Sequence, residues 1–342
     1  MCRVVDVGVA SRRRSSSSSI RVDAELLVVD EPAAAAATCP EAASTANSGK
    51  APTATPATAA APSATPATAA APSAATTVRA TEDSHAIDAL AAQLQAEGVS
   101  FVPPPGESRD DTLKRFLDAR QGNVPKAAAF LAADAAWRDE QRIDELRALG
   151  AEEVLGGAAA VAGLLKVLPV AYGTGVDRLG RPIVYKHFGH QCKLSRMLDV
   201  TSLEQIYRYN AWLNEQLTLC LAEAAATKWT VVIDAAGWHW GLADATCFRI
   251  LKHMADVDAN HYPERLACIL IINAPPAIAA VWRIVSRWLD DVTRAKVDII
   301  SDRKPEQARA RLESLALPSQ RPEQYGGTLP ALAGWPAKGG LA

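Results

Sequence analysis

Apolar positions in the second half of the chain follow two patterns, short continuous runs and longer stretches with helical spacing. The continuous runs have the length of buried strands and lie between turn residues; they occupy 182–185, 230–234, 268–272 and 297–300. Apolar residues recur every three or four positions at 202–225, 242–259, 276–289 and 304–315. Because apolar strands alternate with helices, the pattern predicts an α/β fold with a mostly parallel sheet covered by helices.

A different pattern precedes this region, with helical spacing and no strand-like run. Residues 83–98 and 109–150 carry it, and acidic residues open the second stretch, as they often do in the first turn of a helix. The sequence therefore predicts a small all-helical module at 81–155, followed by an α/β domain at 160–330.

The two ends of the chain lack the apolar residues that a packed core requires. Residues 32–78 consist mainly of Ala, Pro, Thr and Ser, and the decamer ATPATAAAPS occurs twice in tandem. Frequent proline breaks helices, so 1–80 is expected to be a disordered tail or linker. The Arg- and Ser-rich start at 1–22 is also typical of plastid or mitochondrial transit peptides, and both interpretations stay open. Residues 331–342 are expected to form a second tail.

Composition and charge exclude several classes of function. The formal net charge is -2 and the pI is about 6.3, so nucleic acid is not an expected partner. The most apolar long stretch, 266–282, contains Asn273 and two prolines, whereas a membrane-spanning helix needs about 20 apolar residues. We therefore expect a cytoplasmic protein that contacts membranes peripherally and transiently. The six cysteines include no C-x-x-C pair and are expected to be reduced thiols.

Residues with catalytic or metal-binding potential occur without the partners that such chemistry needs. The GTG motif at 173–175 lacks the third glycine of a dinucleotide loop. His187, His190 and Cys192 lie close in sequence but have no clear fourth ligand for a metal. Asp234 ends a predicted strand, yet no nucleophile elbow or second carboxylate accompanies it. We expect no cofactor, no metal and no enzymatic activity; a lipid hydrolase that uses Asp234 is the remote alternative.

An apolar stripe along the predicted helix at 276–289 suggests a contact with lipid. Arg283 and Arg287 lie off this stripe, whose members recur at helical spacing; they are Ile278, Val281, Trp282, Val285 and Trp288. Tryptophan and arginine on an amphipathic helix suit a membrane interface. The alternative is an ordinary helix that packs on the sheet, and the residues alone favour it.

Several short motifs resemble the CRAL-TRIO lipid-binding family, and in particular its phosphatidylinositol-transfer branch. The most specific are HYPER at 261–265 and IINAP at 271–275. Further matches follow in the family's order along the chain: DTLKRFLDAR at 111–120, DRLGRP at 177–182, WLDDVTRAK at 288–296 and PEQYGG at 322–327. The resemblance covers about 109–327.

The resemblance implies a hydrophobic pocket, floored by the sheet and walled by helices, that encloses one lipid. It implies that the helix at 276–289 is a mobile gate, and that Arg120, Glu264 and Lys296 bind the head group of phosphatidylinositol. The chemistry agrees, because a phosphodiester pairs with Arg or Lys and inositol hydroxyls pair with a carboxylate. Ion pairs that only stabilise the fold are the alternative role of these residues.

Other positions depart from the family pattern. The basic residue that the family has after Arg120 is Gln121 here. Trp229 and Val231 replace the small hydroxyl residues that some members use for phosphatidylcholine, so that lipid is not expected. The expected function is the transfer of phosphatidylinositol between membranes, or its presentation to a lipid kinase as partner. The alternative is a carrier of a tocopherol-, retinoid- or sterol-like lipophile.

Overall fold

The computed structural model of the protein describes residues 74–332 and Trp335. Most of the predicted amino-terminal tail lies outside these residues, together with the tandem decamers and the transit-peptide-like start. The first helix, α1 (Ala74–Ala96), begins inside the segment that the composition assigned to the tail. The predicted helix at 83–98 is therefore extended at its amino-terminal end.

Three helices form the amino-terminal part of the described chain: α1, α2 (Arg109–Asp118) and α3 (Val124–Glu140). The side chain of Ser108 caps α2 by accepting a hydrogen bond from the backbone nitrogen of Asp111, and Asn123 caps α3 in the same manner. The apolar faces of the three helices share one core, whose most deeply buried members include Leu90, Leu94, Leu113, Phe116 and Leu131.

The single helical stretch predicted at 109–150 is interrupted twice in the structure. The chain first leaves the helical path at Gln121 and Gly122, whose φ angles are 54° and 77°. It does so again at Arg142, with φ 52°. The spacing of apolar residues continues across both turns, so the pattern alone did not reveal them.

Three short helices follow the second turn: α4 (Ile143–Ala148), α5 (Ala151–Leu155) and α6 (Ala158–Val167). The apolar residues of all three share one hydrophobic core with the long helix α7 (Leu203–Ala224). The hydrophobic core is therefore continuous across 155–160, where the sequence pattern predicted the boundary between two modules.

Five strands form one sheet in the order β1-β2-β3-β4-β5. They are β1 (Val170–Ala171), β2 (Ile183–His187), β3 (Trp229–Asp234), β4 (Leu266–Ala274) and β5 (Val297–Ser301). Strands β2 to β5 run parallel, whereas β1 pairs antiparallel with β2 at the edge. The predicted α/β class and mostly parallel sheet are confirmed; β1 escaped prediction because two residues are too few to show a period.

The other helices are α8 (Ala245–His261), α9 (Pro276–Val285), α10 (Asp291–Ala295) and α11 (Pro305–Leu315). The helix predicted at 276–289 thus ends at Val285 and continues as a 3-10 turn, Ser286–Trp288. Helix α10 was not predicted separately. The residue before it, Asp290, caps it by accepting a hydrogen bond from the backbone nitrogen of Thr293.

The two faces of the sheet are covered differently. On the closed face, Leu270 and Ile272 of β4 pack against α11 and the carboxy-terminal segment, and at most 1% of either residue is exposed. On the open face, the intervening Ile269 and Ile271 are only half-buried and point toward the side of α8 and α9. Because successive side chains of a strand point to opposite faces, one apolar run supplies both surfaces.

The carboxy-terminal segment belongs to the closed face, and the predicted tail at 331–342 is corrected at Trp335. The indole nitrogen of Trp335 donates a hydrogen bond of 3.0 Å to the hydroxyl of Tyr325, and the tryptophan packs against the closed-face core. Tyr325 is fully buried and stacks on Tyr185 with ring centroids 5.2 Å apart. The segment therefore closes this face of the sheet, a role that composition did not predict.

Candidate functional site

A cavity of about 610 Å³ lies between the open face of the sheet and helices α8 and α9. This volume is within the usual range for small-molecule sites, about 300–1,000 Å³. The floor is made by Ile233, Ile269 and Ile271, and the α8 wall is made by apolar side chains that include Cys247, Phe248, Leu251 and Met254. Burial raises the pKa of the Cys247 thiol to about 11, so it is neutral and acts as an apolar group in this wall.

Helix α9 forms the outer wall of the cavity. Four of the five residues predicted for the gate stripe line the cavity: Ile278, Val281, Trp282 and Val285. Trp288 does not line it, because the helix ends three residues earlier and Trp288 lies in the 3-10 turn. Of the residues in α9, Ile278 is the one that is buried, packed against Ala235 and Trp238. The helix is thus anchored at its amino-terminal end and less tightly covered beyond it.

The predicted residues Glu264 and Lys296 meet at one end of this cavity. Oε2 of Glu264 lies 3.6 Å from Nζ of Lys296 and 2.9 Å from Nζ of Lys228. Burial alone raises the pKa of Glu264, but the hydrogen bond from Lys228 and the charge of Lys296 outweigh it and hold the pKa below its usual value. The carboxylate is therefore ionised and shared between two ammonium groups.

Sequence reasoning missed Lys228, although a signal for it was present. Lys228, Arg265 and Lys296 directly precede the neighbouring parallel strands β3, β4 and β5. The amino ends of parallel strands lie along the same edge of a sheet. Charged residues at these three positions are thereby brought together, and Glu264 joins them one residue earlier.

The third predicted residue, Arg120, lines the same cavity from the turn between α2 and α3. Its guanidinium carbon lies 3.5 Å from the centroid of the Phe130 ring, and its Nη1 donates to the carbonyl oxygen of Ala119 at 2.9 Å. Burial lowers the pKa of Arg120, and the charge of Asp290 opposes this shift. The contact with the Phe130 ring holds the Arg120 guanidinium at the cavity. Within the described part of the chain, Arg120 forms no salt bridge.

A buried ion network holds the Glu264 segment against α2. Glu107 accepts a hydrogen bond of 3.0 Å from Nε of Arg115 and one of 2.8 Å from Nη2 of Arg265. Nη1 of Arg115 donates to the carbonyl oxygen of Pro263 at 3.2 Å. These contacts fix the residues on both sides of Glu264, whose φ of 57° is unusual for a residue with a side chain.

The remaining residues of the HYPER motif have structural contacts. The His261 ring stacks on Trp137 with centroids 3.7 Å apart, and its Nδ1 lies 2.9 Å from Oδ1 of Asp134. The hydroxyl of Tyr262 donates to Glu215 at 2.8 Å. The motif therefore joins the amino-terminal helices to the sheet and directs one acidic side chain to the cavity.

The candidate catalytic and metal-binding residues do not form a site among the described residues. Asp234 is fully buried and accepts hydrogen bonds from the backbone nitrogen of Ala236 and from Nδ2 of Asn273. It does not line the cavity. Within 74–332, no group of three or more His, Cys, Asp or Glu side chains has the geometry to hold a metal ion. No helix in the described ranges is both long and apolar enough to cross a bilayer.

Comparison with known proteins shows which domain and which relatives this chain resembles. The sequence profile of the CRAL/TRIO domain matches residues 169–327. The chain is 27% identical over 259 residues to the phosphatidylinositol/phosphatidylcholine transfer protein SFH9 of Arabidopsis thaliana, a match that covers 73% of this chain and 42% of that protein. It is 30% identical over 222 residues to the phosphatidylinositol transfer protein CSR1 of Eremothecium gossypii, a match that covers 64% of this chain and 47% of that protein.

The chain thus spans less than half the length of these curated relatives. Among solved structures, the crystal structure of Sfh5 superposes with a TM-score of 0.52 at 16% identity, covering 66% of this chain and 83% of that one. At this identity the likeness concerns the fold. The profile match spans the sheet that floors the cavity, and residues 169–327 are therefore similar to the CRAL/TRIO domain.

Proposed function

We propose that the protein binds one molecule of phosphatidylinositol in the cavity and transfers it between membranes. The observation that carries the proposal is an apolar cavity of about 610 Å³ with a charged cluster at one end. Apolar walls suit acyl chains, and the cluster suits a head group with one phosphate and several hydroxyls. The names of two relatives, which describe transfer of this lipid, support the same ligand.

Each charged side chain has a separate task in this proposal. Lys296 and Arg120 contact the phosphodiester, because both are cations at the cavity. Glu264 accepts hydrogen bonds from the inositol hydroxyls. Lys228, 2.9 Å from Glu264, keeps that carboxylate paired when Lys296 turns toward the phosphate. Glu264 is then never left as an uncompensated charge, which would be costly at a partly buried site.

The head group, rather than the acyl chains, sets the selectivity. Burying a CH₂ group is worth about 0.8 kcal/mol, but the bilayer buries the same chains to a similar extent. Exchange of chains is therefore nearly balanced in free energy. Phosphatidylcholine is a weaker candidate, because Trp229 and Val231 pack against α7 and do not line the cavity.

The lipid enters and leaves the cavity when α9 moves away from it. The helix begins directly after β4 at Pro276, and its buried contact lies at Ile278, so its far end can swing outward about this hinge. Ile284 and Val292 are 37% and 55% exposed near the cavity and would enter the bilayer interface first. We propose a cytosolic protein with transient membrane association; an organelle interior and presentation to a lipid kinase are the alternatives.

The test is mass spectrometry of the lipid that the protein retains after incubation with mixed liposomes. The wild type is compared with Lys296→Ala and with Lys304→Ala, an exposed lysine before α11 that does not line the cavity. We expect phosphatidylinositol to be enriched by the wild type and by Lys304→Ala, and to be lost from Lys296→Ala. Retention of an uncharged lipophile, equal in all three proteins, would reject phosphatidylinositol as the ligand.

A further inference from the structure

Arg321, a buried cation beside the closed face of the sheet, has no anionic partner in the described part of the chain. It follows the 3-10 turn Pro318–Gln320 and is 2% exposed. Its Nη1 donates a hydrogen bond of 3.0 Å to the carbonyl oxygen of Tyr325. Its Nε is buried, and within 74–332 and Trp335 no acceptor lies within reach of it. Because arginine keeps its proton in proteins, a full positive charge is buried here.

The hydroxyl of Tyr185 is a second buried polar group at the same place. Tyr185 lies on β2 and is fully buried, and its hydroxyl has no hydrogen-bond partner among the described residues. Its ring stacks on Tyr325, the residue whose carbonyl oxygen holds Arg321. Burial raises the pKa of Tyr185, and the positive charge of Arg321 opposes this shift. The hydroxyl is therefore protonated and can donate a hydrogen bond.

The backbone on both sides of Arg321 is held in place. The backbone nitrogen of Arg321 donates to the carbonyl oxygen of Pro318 at 3.2 Å, and its carbonyl oxygen accepts from the nitrogen of Leu329 at 2.9 Å. Gly327 packs so closely that a Cβ atom there would lie 1.9 Å from the carbonyl oxygen of Arg321. The carboxy-terminal segment is thus fixed in the path that directs the side chain of Arg321 inward.

Two buried carboxylates beside β3 have partners of their own. Oδ2 of Asp177 lies 2.6 Å from Nε of Arg181. Oδ1 of Asp234 accepts a hydrogen bond of 2.9 Å from Nδ2 of Asn273. Burying a charge is costly unless an opposite charge lies beside it. The positive charge of Arg321 therefore requires an anion, which the described residues do not supply by an ion pair.

The charge and the number of donors decide which anion fits. One guanidinium neutralises one negative charge, so a divalent phosphate or sulfate would bury an excess charge. Two donors, Nε of Arg321 and the hydroxyl of Tyr185, suffice for a small spherical ion, whereas a carboxylate or phosphate presents more oxygen atoms than two donors satisfy. Water would accept the two hydrogen bonds but would leave the charge uncompensated.

We propose that Arg321 and Tyr185 bind a small monovalent anion such as chloride within the closed face. The anion neutralises the guanidinium and joins the carboxy-terminal segment to β2. This site lies on the opposite side of the sheet from the cavity, so the inference does not depend on the proposed function. Because the site exists only in the folded chain, the anion stabilises the protein in proportion to its occupancy.

The test is thermal unfolding in increasing sodium chloride and in matched concentrations of sodium gluconate, whose anion is monovalent but too large for a site of two donors. We expect the wild type to unfold about 3 °C higher in chloride once the site is saturated. Arg321→Met should lose this difference and be at least as stable as the wild type in gluconate, because it removes the uncompensated charge. Arg303→Met, at an exposed position before α11, should respond like the wild type.

Two further measurements keep the test independent of how Arg321→Met folds. Tyr185→Phe should be as stable as the wild type in gluconate, since its hydroxyl has no partner to lose among the described residues. It should need a higher chloride concentration for the same rise in unfolding temperature. Crystals of the wild type grown in sodium bromide should show an anomalous scattering peak beside Nε of Arg321 and the hydroxyl of Tyr185.

Three results would overturn the anion site: equal unfolding temperatures of the wild type in chloride and gluconate, a chloride response that persists in Arg321→Met, or no bromide peak beside Arg321. The outcome is separate from that of the lipid assay. Phosphatidylinositol retention from liposomes should be the same in both salts. Failure to retain that lipid in either salt rejects the head-group assignment and leaves the anion site standing.

Discussion

The closed and open faces of the sheet are built from the same strands and perform different tasks. Leu270 and Ile272 on the closed face are in full contact with α11 and the carboxy-terminal segment. Ile269 and Ile271, their immediate neighbours in sequence, line a cavity. The closed face is where burial stabilises the fold, whereas the open face leaves apolar surface unfilled for a ligand. Stability and binding are thereby assigned to alternate residues of one strand.

The largest expected effect comes from truncating the same residue type on each face. Ile272→Ala should lower the free energy of unfolding by about 2–5 kcal/mol, because it leaves a void in a close-packed core. Ile271→Ala should lower it by about 1 kcal/mol or less, because its side chain already borders a cavity. Urea denaturation of the two variants and the wild type measures both values. Equal losses would contradict the assignment of stability to the closed face.

Removing the carboxy-terminal contact of the closed face should have a smaller effect. Trp335→Ala eliminates the hydrogen bond to Tyr325 and the packing of a half-buried indole. We expect a decrease of about 1–2 kcal/mol in the free energy of unfolding, with lipid retention unchanged. Trp335→Phe, which keeps most of the apolar contact, should recover part of the loss. A variant as stable as the wild type would show that Trp335 lies in a tail.

Substitutions of exposed apolar residues beside the open face and beside the closed face should differ in their effect on the rate of lipid transfer, but not in their effect on stability. Ile284→Asp, at the end of α9, should slow lipid transfer between vesicles about fivefold, the equivalent of losing about 1 kcal/mol of interfacial burial. The matched control is Leu317→Asp, which alters an apolar residue that is 47% exposed after α11. It should leave the transfer rate unchanged. Equal slowing by both variants would place the membrane contact elsewhere.

The smallest expected effect is a pH dependence at the end of the open face. The pKa of Glu264 is held below its ordinary value of 4.5, so its ionised form stabilises the folded state above that pH. This contribution is lost as the pH falls through the lowered pKa. Glu264→Gln should therefore be less stable than the wild type at neutral pH, and the difference should vanish in acid. Glu313→Gln, at an exposed position on α11, is the control and should show no such convergence.

The pattern of apolar residues was sufficient to predict the strands and helices, but not to predict where a helix is interrupted. The four predicted strands and the helices between them are present because each depends on local periodicity and on turn residues beside it. The breaks at Gln121 and Arg142 were missed, since apolar spacing continues across them. The end of α9 before Trp288 was missed for the same reason. The edge strand β1 was missed because two residues are too few to show a period.

The candidate site was predicted in part, through residues that resemble a family motif. Arg120, Glu264 and Lys296 line one cavity in the structure, and their roles in binding stay predictions. Lys228 was not singled out, because its significance depends on a neighbour that is distant in sequence. Lys228 is 36 positions from Glu264 and precedes a different strand.

By itself, the sequence determined that apolar strands would alternate with helices, that the sheet would be mostly parallel, and that α9 would carry an apolar stripe. These properties follow from local spacing, which dictates what each element must bury. Only the tertiary structure decided which face of the sheet is filled and which is left open. Burial patterns state how much apolar surface an element has, but the partner that covers it comes from elsewhere in the chain. That choice placed the cavity and the shared carboxylate of Glu264 on one side of the sheet.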